Sequence, residues 1–174
     1  FTPPISLINK ISLPVFNFAY FHGNTLKNSH QTVHYEPFFY PLDAIHDWNK
    51  MYGPRGFYQY QSVIPRDVSL EATHEMLKMI KKSGDGSFLA VLKTFGDRES
   101  GGLLSFPRSG VTLALDFPNR GEKTLKLFNE LDHIVSEAKG RLYLAKDARM
   151  PKTLFEAGYP RIQEFLKYRD PNIS

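Results

Sequence analysis

Gly56 to Ile64 reads Gly-Phe-Tyr-Gln-Tyr-Gln-Ser-Val-Ile and is closed by Pro65. Successive side chains of a strand point to opposite faces, so Gln59 and Gln61 share one face and Tyr58 and Tyr60 the other. No other stretch constrains the fold as much. A buried sheet face normally carries Val, Ile or Leu, and two neighbouring amides there would each cost about 1–3 kcal/mol without partners. The Gln face is therefore either a recognition surface or a solvated one.

Beyond Pro65 the chain has a regular order. Asp67 or Ser69 is placed to cap a helix reaching about Lys82, with Ala72, Met76, Leu77, Met79 and Ile80 as its apolar side and Ser83-Gly84-Asp85-Gly86 as its end. Ser87 to Phe95 alternates as a second strand, with Leu89, Val91, Lys93 and Phe95 on one face and Phe88, Ala90, Leu92 and Thr94 on the other. A glycine-rich loop, 96–110, leads to a third strand, Val111 to Phe117. Leu125, Phe128, Leu131, Val135 and Ala138 step at helical spacing through about 121–139; Gly140 stops that helix and Arg141 to Ala145 reads as a fourth strand. The order β-α-β-β-α-β over 56–146 predicts an α+β, ferredoxin-like fold, an antiparallel sheet with both helices on one face. The free face would then carry Gln59, Gln61, Leu89, Val91, Lys93, Phe95, Thr112 and Ala114, groups suited to a polar ligand with an apolar part.

The flanks are less periodic. Residues 1–31 mix Pro3, Pro4 and Pro14 with asparagines and aromatic residues, and predict an irregular N-terminal segment whose rings pack against something else. Thr32 to Tyr40 reads as an extended run broken by Pro37, and Pro41-Leu42-Asp43 as the opening of a helix to Tyr52, with Asp43 as N-cap and Ile45, Trp48, Asn49 and Tyr52 along one side. Two short helices, opened by Pro151 and Pro160, finish the chain. The expectation is a single domain over 1–174, with a lead-in over 1–52 and a sheet core over 56–147. A chain that opens Phe-Thr-Pro-Pro, without an initiator Met, is expected to be a fragment.

The 174 residues, 41% hydrophobic, suffice to bury a core, and the zero cysteines exclude disulfides, thiolate metal sites and cysteine nucleophiles. Redox chemistry would need a borrowed cofactor. The net charge of +4 admits anionic ligands without demanding them. No run approaches the roughly 20 apolar residues of a membrane helix. The six histidines lack the spacing of a metal site, and neither a Gly-x-x-x-x-Gly-Lys loop nor a Gly-x-Gly-x-x-Gly turn is present.

Lys93 in the middle of an apolar strand face and Lys146 at the end of the fourth strand are the candidate functional cations. Val91 and Phe95 would partly desolvate Lys93 and call for an anion; the alternative for either lysine is a stem along apolar surface with its head in water. Tyr143 could supply a phenol at the same strand end, or simply pack. RNA-recognition domains also use a βαββαβ sheet, but Val111 to Phe117 lacks the basic start and the paired aromatic residues of their third strand. A non-enzymatic ligand-binding module on this fold stays open.

Several stretches in the same order resemble the FAD-linked oxidases of the vanillyl-alcohol oxidase type: Tyr40-Pro41-Leu42-Asp43, Asp47 to Gln61, Lys93-Thr94-Phe95-Gly96, Leu115-Asp116-Phe117-Pro118 and Gly140 to Asp147. The resemblance covers Tyr40 to about Arg169. It implies that this chain is the C-terminal substrate-binding (cap) domain of such an enzyme, with FAD held mainly by an N-terminal domain absent from this fragment. The implied reaction is oxidation of a sugar hydroxyl to a ketone, at the 2-hydroxyl of a polyprenyl-phosphoryl ribose. Lys146 and Tyr143 are then the catalytic residues, Lys146 also touches the cofactor, and Lys93, Gln59, Gln61, Tyr40, Phe95, Leu89, Val91, Thr112 and Ala114 bind the substrate. The implied partners are the FAD-binding domain, a lipid-linked or small sugar and a short-chain dehydrogenase acting on the keto product, with no nucleic acid; the implied place is the cytoplasm or the inner-membrane surface. Thr112 and Ala114 stand where the compared family member has Asn and Cys, so these side chains are smaller and no thiol is available. The His-Trp-Gly-Lys stretch of the aldonolactone oxidases is absent, which argues against a sugar-lactone substrate.

Overall fold

The computed structural model describes residues 3–25, 32–40, 46–87, 89–146 and 149–172. At its centre is β1 (Phe57–Ile64), which sends Tyr60, Ser62 and Ile64 into the core and Gln59 and Gln61 to the opposite side. It pairs antiparallel with β3 (Gly110–Pro118) on one side and β4 (Arg141–Leu142) on the other; β2 (Ala90–Phe95) pairs with the outer edge of β3, giving the order β2-β3-β1-β4. Two helices, α3 (Ser69–Ser83) and α4 (Glu122–Glu137), pack on the face that carries Tyr60, Leu113, Leu115 and Phe117. This is the α+β, ferredoxin-like arrangement that the order of elements predicts.

The core is formed where the period-two face of the sheet meets the apolar stripes of the helices. Met76 and Ile80 of α3 and Leu127, Phe128, Leu131, Ile134 and Val135 of α4 are buried against the sheet. Phe128 is its aromatic centre, with ring contacts to Tyr58, Tyr60 and Phe117. Leu77, expected on the apolar side of α3, is 45% exposed; the buried line runs through Ser69, Ala72, Met76 and Ile80, with Met79 packed at its margin.

Several boundaries differ from the sequence expectation for identifiable reasons. Neither Asp67 nor Ser69 caps α3; Val68 holds the N-cap position without a side-chain bond, and Ser69 Oγ donates to Arg66 O instead. The second strand begins at Ala90 rather than Ser87, because the Asp116 N–H goes to Ser87 Oγ at 2.8 Å and not to a ladder carbonyl; Phe88 lies outside the described residues. At the end of α4 the left-handed residue is Lys139, φ 52, while Gly140 is required for space: a Cβ there would sit 2.7 Å from Val63 O.

The lead-in is more regular than expected. Ser12–Thr25 is a helix, α1, opened by Asn9, whose Oδ1 accepts the N–H groups of Ile11 and Ser12 at 3.0 Å, and Pro14 falls in its first turn, where no N–H partner is needed. A second short helix, α2 (Tyr35–Phe39), replaces the expected extended run, with His34 accepting from the Glu36 N–H and Pro37 again in the first turn. Trp48–Tyr52 is a 3₁₀ turn; the expected helix start at Pro41-Leu42-Asp43 and Ile45 lies outside the described residues. α5 (Lys152–Gly158) follows Pro151, and α6 (Ile162–Phe165) begins two residues after Pro160. Among the described residues no helix is long and apolar enough to cross a membrane.

Removing the Phe128 ring should expose how far the two layers depend on it. Phe128→Ala is expected to lower stability by about 3–5 kcal/mol, the cost of an aromatic cavity in a packed core. Urea unfolding followed by circular dichroism measures this, and a loss below about 1 kcal/mol would contradict the packing described.

Candidate active site

The face of the sheet opposite the helices is built in rows across the strands. Gln59 stands beside Asp116; Gln61 stands beside Ala114, which stands beside Val91; Val63 stands beside Thr112, which stands beside Lys93. Gln59, Gln61, Leu89, Val91, Lys93, Thr112, Ala114, Asp116 and Lys146 line a hollow of about 180 Å³. Seven of these, Gln59, Gln61, Leu89, Val91, Lys93, Thr112 and Ala114, are on the free face that the alternation predicts, and Lys146 joins them from the end of β4.

The amides of this face have partners. Gln61 Nε2 donates to Thr112 Oγ1 at 3.2 Å, and Gln59 Nε2 donates to Asp116 Oδ1 at 3.0 Å. The other end of the Gln59 amide, Oε1, accepts from Lys146 Nζ at 2.8 Å. A carboxylate, an amide and an ammonium thus stand in line across β3, β1 and the segment after β4.

Lys146 reaches this line because β4 ends early. The ladder covers only Arg141–Leu142, Tyr143 N–H still reaches Gln61 O at 2.9 Å, and a turn closed by Lys146 N–H to Tyr143 O at 3.0 Å swings the lysine toward Gln59. β4 therefore stops at Leu142, short of the expected Ala145. Beyond the turn, Arg149 grips Asp132 of α4 with two bonds of 2.8 and 3.1 Å, lies over the Phe128 ring, and shares Asp132 with Tyr60 OH. A bidentate pair of this kind, mostly buried, fixes both direction and distance. The segment that carries Lys146 is therefore held at both ends.

Asp116 is absent from the residues that sequence reasoning singles out, although it has the parity of Thr112 and Ala114; that parity is the signal that could have found it. It is 3% exposed, and its Oδ2 is buried with no hydrogen-bond partner among the described residues. Burial pushes its carboxyl above the ordinary range, while the Gln59 bond and the Lys146 charge pull it back in part.

Other expected residues lie at the margin. Lys93 is exposed rather than desolvated, because β2 is the edge strand and leaves it open to solvent. The Tyr143 ring stacks on Phe106 at 4.7 Å, and Phe106 meets Phe95 edge-on at 6.1 Å. The 96–110 loop thus lays a buried ring over one end of this face, between Phe95 and Tyr143, and neither of these two residues lines the hollow. Tyr40 ends α2 and is 55% exposed; it does not line the hollow. A larger cavity of about 580 Å³ lies behind the loop, among Arg98, Arg108, Arg141 and Arg161, and contains none of the candidate residues. Among the described residues no group of three or more His, Asp or Glu could hold a metal ion.

The chain is 38% identical, over 167 residues and 95% of its length, to a decaprenylphosphoryl-beta-D-ribose oxidase of Mycolicibacterium smegmatis. It is a homologue of part of that oxidase. The match spans 35% of the relative's own length and fits a C-terminal portion of it. An uncharacterized protein in the mprA 5' region of Streptomyces coelicolor is 34% identical over 99 residues, 57% of this chain and 27% of that protein. No family model matches the chain. The match, at 95% of the chain, takes in the strands that build the hollow.

The buried carboxyl has a consequence for stability. Its folded value lies above the ordinary 3.8, so between the two values the folded state holds a proton that the unfolded chain has released. Stability therefore falls as pH rises through that window, the cost of a buried charge. Asp116→Asn removes this contribution. Urea unfolding at pH 4 and pH 7 should show wild type losing stability relative to the Asn variant as pH rises; parallel curves would show that the carboxyl titrates normally.

Proposed function

We propose that the chain is the substrate-binding (cap) part of an FAD-dependent oxidoreductase that oxidises a sugar hydroxyl to a ketone, the 2-hydroxyl of a polyprenyl-phosphoryl ribose. The observation that carries this reading is the placement of Lys146 at the edge of a small hollow lined by amide, hydroxyl and apolar groups, within a chain homologous to part of a sugar oxidase. The residues fit a flavin and a sugar together. Lys146 Nζ gives one hydrogen bond to Gln59 and has two more N–H groups to give, as an acceptor-rich ring edge or an alkoxide requires. Val91, Ala114 and Leu89 offer an apolar wall beside it. When bound, the flavin supplies the acceptor for the hydride.

In this reading each residue has a task set by its chemistry. Lys146 puts a fixed positive charge where negative charge grows during the reaction, which stabilises the transition state more than the ground state. Tyr143, its ring held against Phe106, is assigned as a second catalytic group at the margin of the hollow. Gln59, Gln61 and Thr112 orient hydroxyls. Lys93, without an acid at salt-bridge distance among the described residues and able to move at the edge strand, reads the phosphate. Phe95 and Tyr40 stand outside the hollow, and its apolar wall is left to Leu89, Val91 and Ala114. The rings of Phe16, Phe18, Phe21, Phe38 and Phe39 on α1 and α2 are 41–68% exposed, and we assign them to contact with the FAD-binding part of the longer protein. The keto product would pass to a short-chain dehydrogenase, in the cytoplasm or at the inner-membrane surface. An RNA-binding role is disfavoured by Val111 to Phe117, which lacks the basic start and the paired aromatic residues of an RNA-recognition third strand.

The test uses the full-length protein carrying FAD. Lys146→Met keeps most of the stem and removes the charge; it is expected to fold and retain flavin, yet to reduce it at least about 100-fold more slowly, the scale lost with one electrostatic stabiliser. Lys93→Met should instead raise the substrate concentration needed for half-maximal rate, since a phosphate contact serves ground and transition states alike. Stopped-flow bleaching of the flavin by a short-chain polyprenyl-phosphoryl ribose measures both. A near-normal rate for Lys146→Met would remove the lysine from catalysis, and no bleaching with wild type would remove the substrate class.

A further inference from the structure

Among the described residues Asp116 is the one acid lining the hollow, and it has no task in the proposed reaction. A carboxylate can only accept hydrogen bonds and an ammonium can only donate them. The Gln59 amide between them has one end of each kind. It can satisfy both neighbours in a single orientation, with Nε2 toward Asp116 Oδ1 at 3.0 Å and Oε1 toward Lys146 Nζ at 2.8 Å. The reversed amide would place an N–H₂ against the ammonium and an oxygen against the carboxylate, two repulsions in a half-buried setting. Asp116 is itself fixed on β3: its backbone N–H is anchored on Ser87 Oγ, and its residue stands opposite Gln59 in the β1 ladder.

We propose that Asp116 is a positioning residue, which locks the Gln59 amide so that its oxygen fixes the Lys146 ammonium at the reaction centre. It acts through Gln59. The inference rests on the catalytic role proposed for Lys146. Without Asp116, the amide gains a second orientation and Lys146 loses the Gln59 oxygen for part of the time. The ammonium would then wander on its four-carbon stem, and a small displacement of a catalytic group has a large effect on rate.

Three variants of the full-length protein separate this from a structural role. Asp116→Val fills the space and suits a strand but offers no acceptor; Asp116→Ala repeats the deletion with a smaller side chain should valine not fit. Asp116→Asn keeps an oxygen for Gln59 Nε2. Expected for the deletions is flavin reduction slowed about tenfold at saturating short-chain polyprenyl-phosphoryl ribose, with the half-saturating concentration changed less than about twofold. The Asn variant should retain at least about a third of the wild-type rate, the rescue that orientation predicts. In the full-length, flavin-loaded protein labelled with ¹⁵N-glutamine, the Gln59 side-chain amide protons should exchange slowly with solvent in wild type and Asn variant, and faster in the deletions. Normal rates in both deletions, or a loss in Asn as large as in Val, would overturn the proposal. Lys146→Met measured alongside tells the failures apart: if it is slow while Asp116→Val is normal, only the positioning role falls; if Lys146→Met is itself normal, the catalytic role of the lysine falls first.

Discussion

The two-residue period of β1 is the constraint on which the rest depends. β1 is paired on both sides, so each of its residues must serve a defined face, and a slip of one residue would exchange Tyr60 with Gln59 or Gln61. Such a slip would put amides against Phe128 and leave phenols over Thr112 and Ala114. The register is pinned from the buried side by the Tyr60 hydroxyl, which donates to Asp132, and by the contact of its ring with Phe128. What holds the core thereby also decides which polar groups face outward. Packing on the buried face thus sets the register of the open one, and the hydrogen bonds among Asp116, Gln59 and Lys146 set the side chains on it.

The same linkage extends to Lys146. Asp132 accepts from Tyr60 on β1 and from Arg149 beyond the lysine, so one buried carboxylate sets both the register of the central strand and the far anchor of the 143–149 segment. The lysine arrives beside Gln59 because the two attachments share that partner. A buried ion pair of this kind contributes little net stability compared with an apolar replacement, and its best-attested use is to specify one arrangement among several. Here the arrangement specified is the approach of a cation to a particular strand residue.

Periodicity in the sequence carries a definite part of this organisation. Alternation in 56–64, 87–95 and 111–117 and the stripes through Met76 and Leu131 suffice for the fold and for the side on which Gln59, Gln61, Lys93 and Thr112 stand. Features that periodicity does not encode are not legible in this way. The helix at Ser12–Thr25 depends on Asn9 acting as a cap, where asparagine among prolines reads as a loop signal. The shortened β2 depends on Ser87 drawing the Asp116 N–H away from the ladder. The closing of one end of the open face by Phe106 depends on a loop path that no local pattern encodes. The strand neighbours of Lys93 suggest desolvation, but desolvation follows from sheet position, and β2 is an edge. Asp116 shares the alternation of Thr112 and Ala114, yet a lone acid in an apolar strand carries no sign of its partner 57 positions away.

A buried carboxylate with one oxygen unsatisfied is a poor choice for stability, since a branched apolar residue would serve β3 better at that position. Gln59 and Lys146 offset part of the penalty, but only part, as the upward displacement of the carboxyl shows. The two cations of the face differ in the opposite way. Lys93 is on an exposed edge strand, suited to following a flexible anionic group, while Lys146 is tethered through an amide to an acid held on β3. A charge that must meet a transition state gains from being fixed before the reaction begins, because no reorganisation is then needed as charge develops. Fixing an ammonium without neutralising it requires a partner that accepts one bond and carries no net charge, and a glutamine amide is such a partner. Placing the acid one residue further back gives the amide its direction while keeping the negative charge out of contact with the lysine.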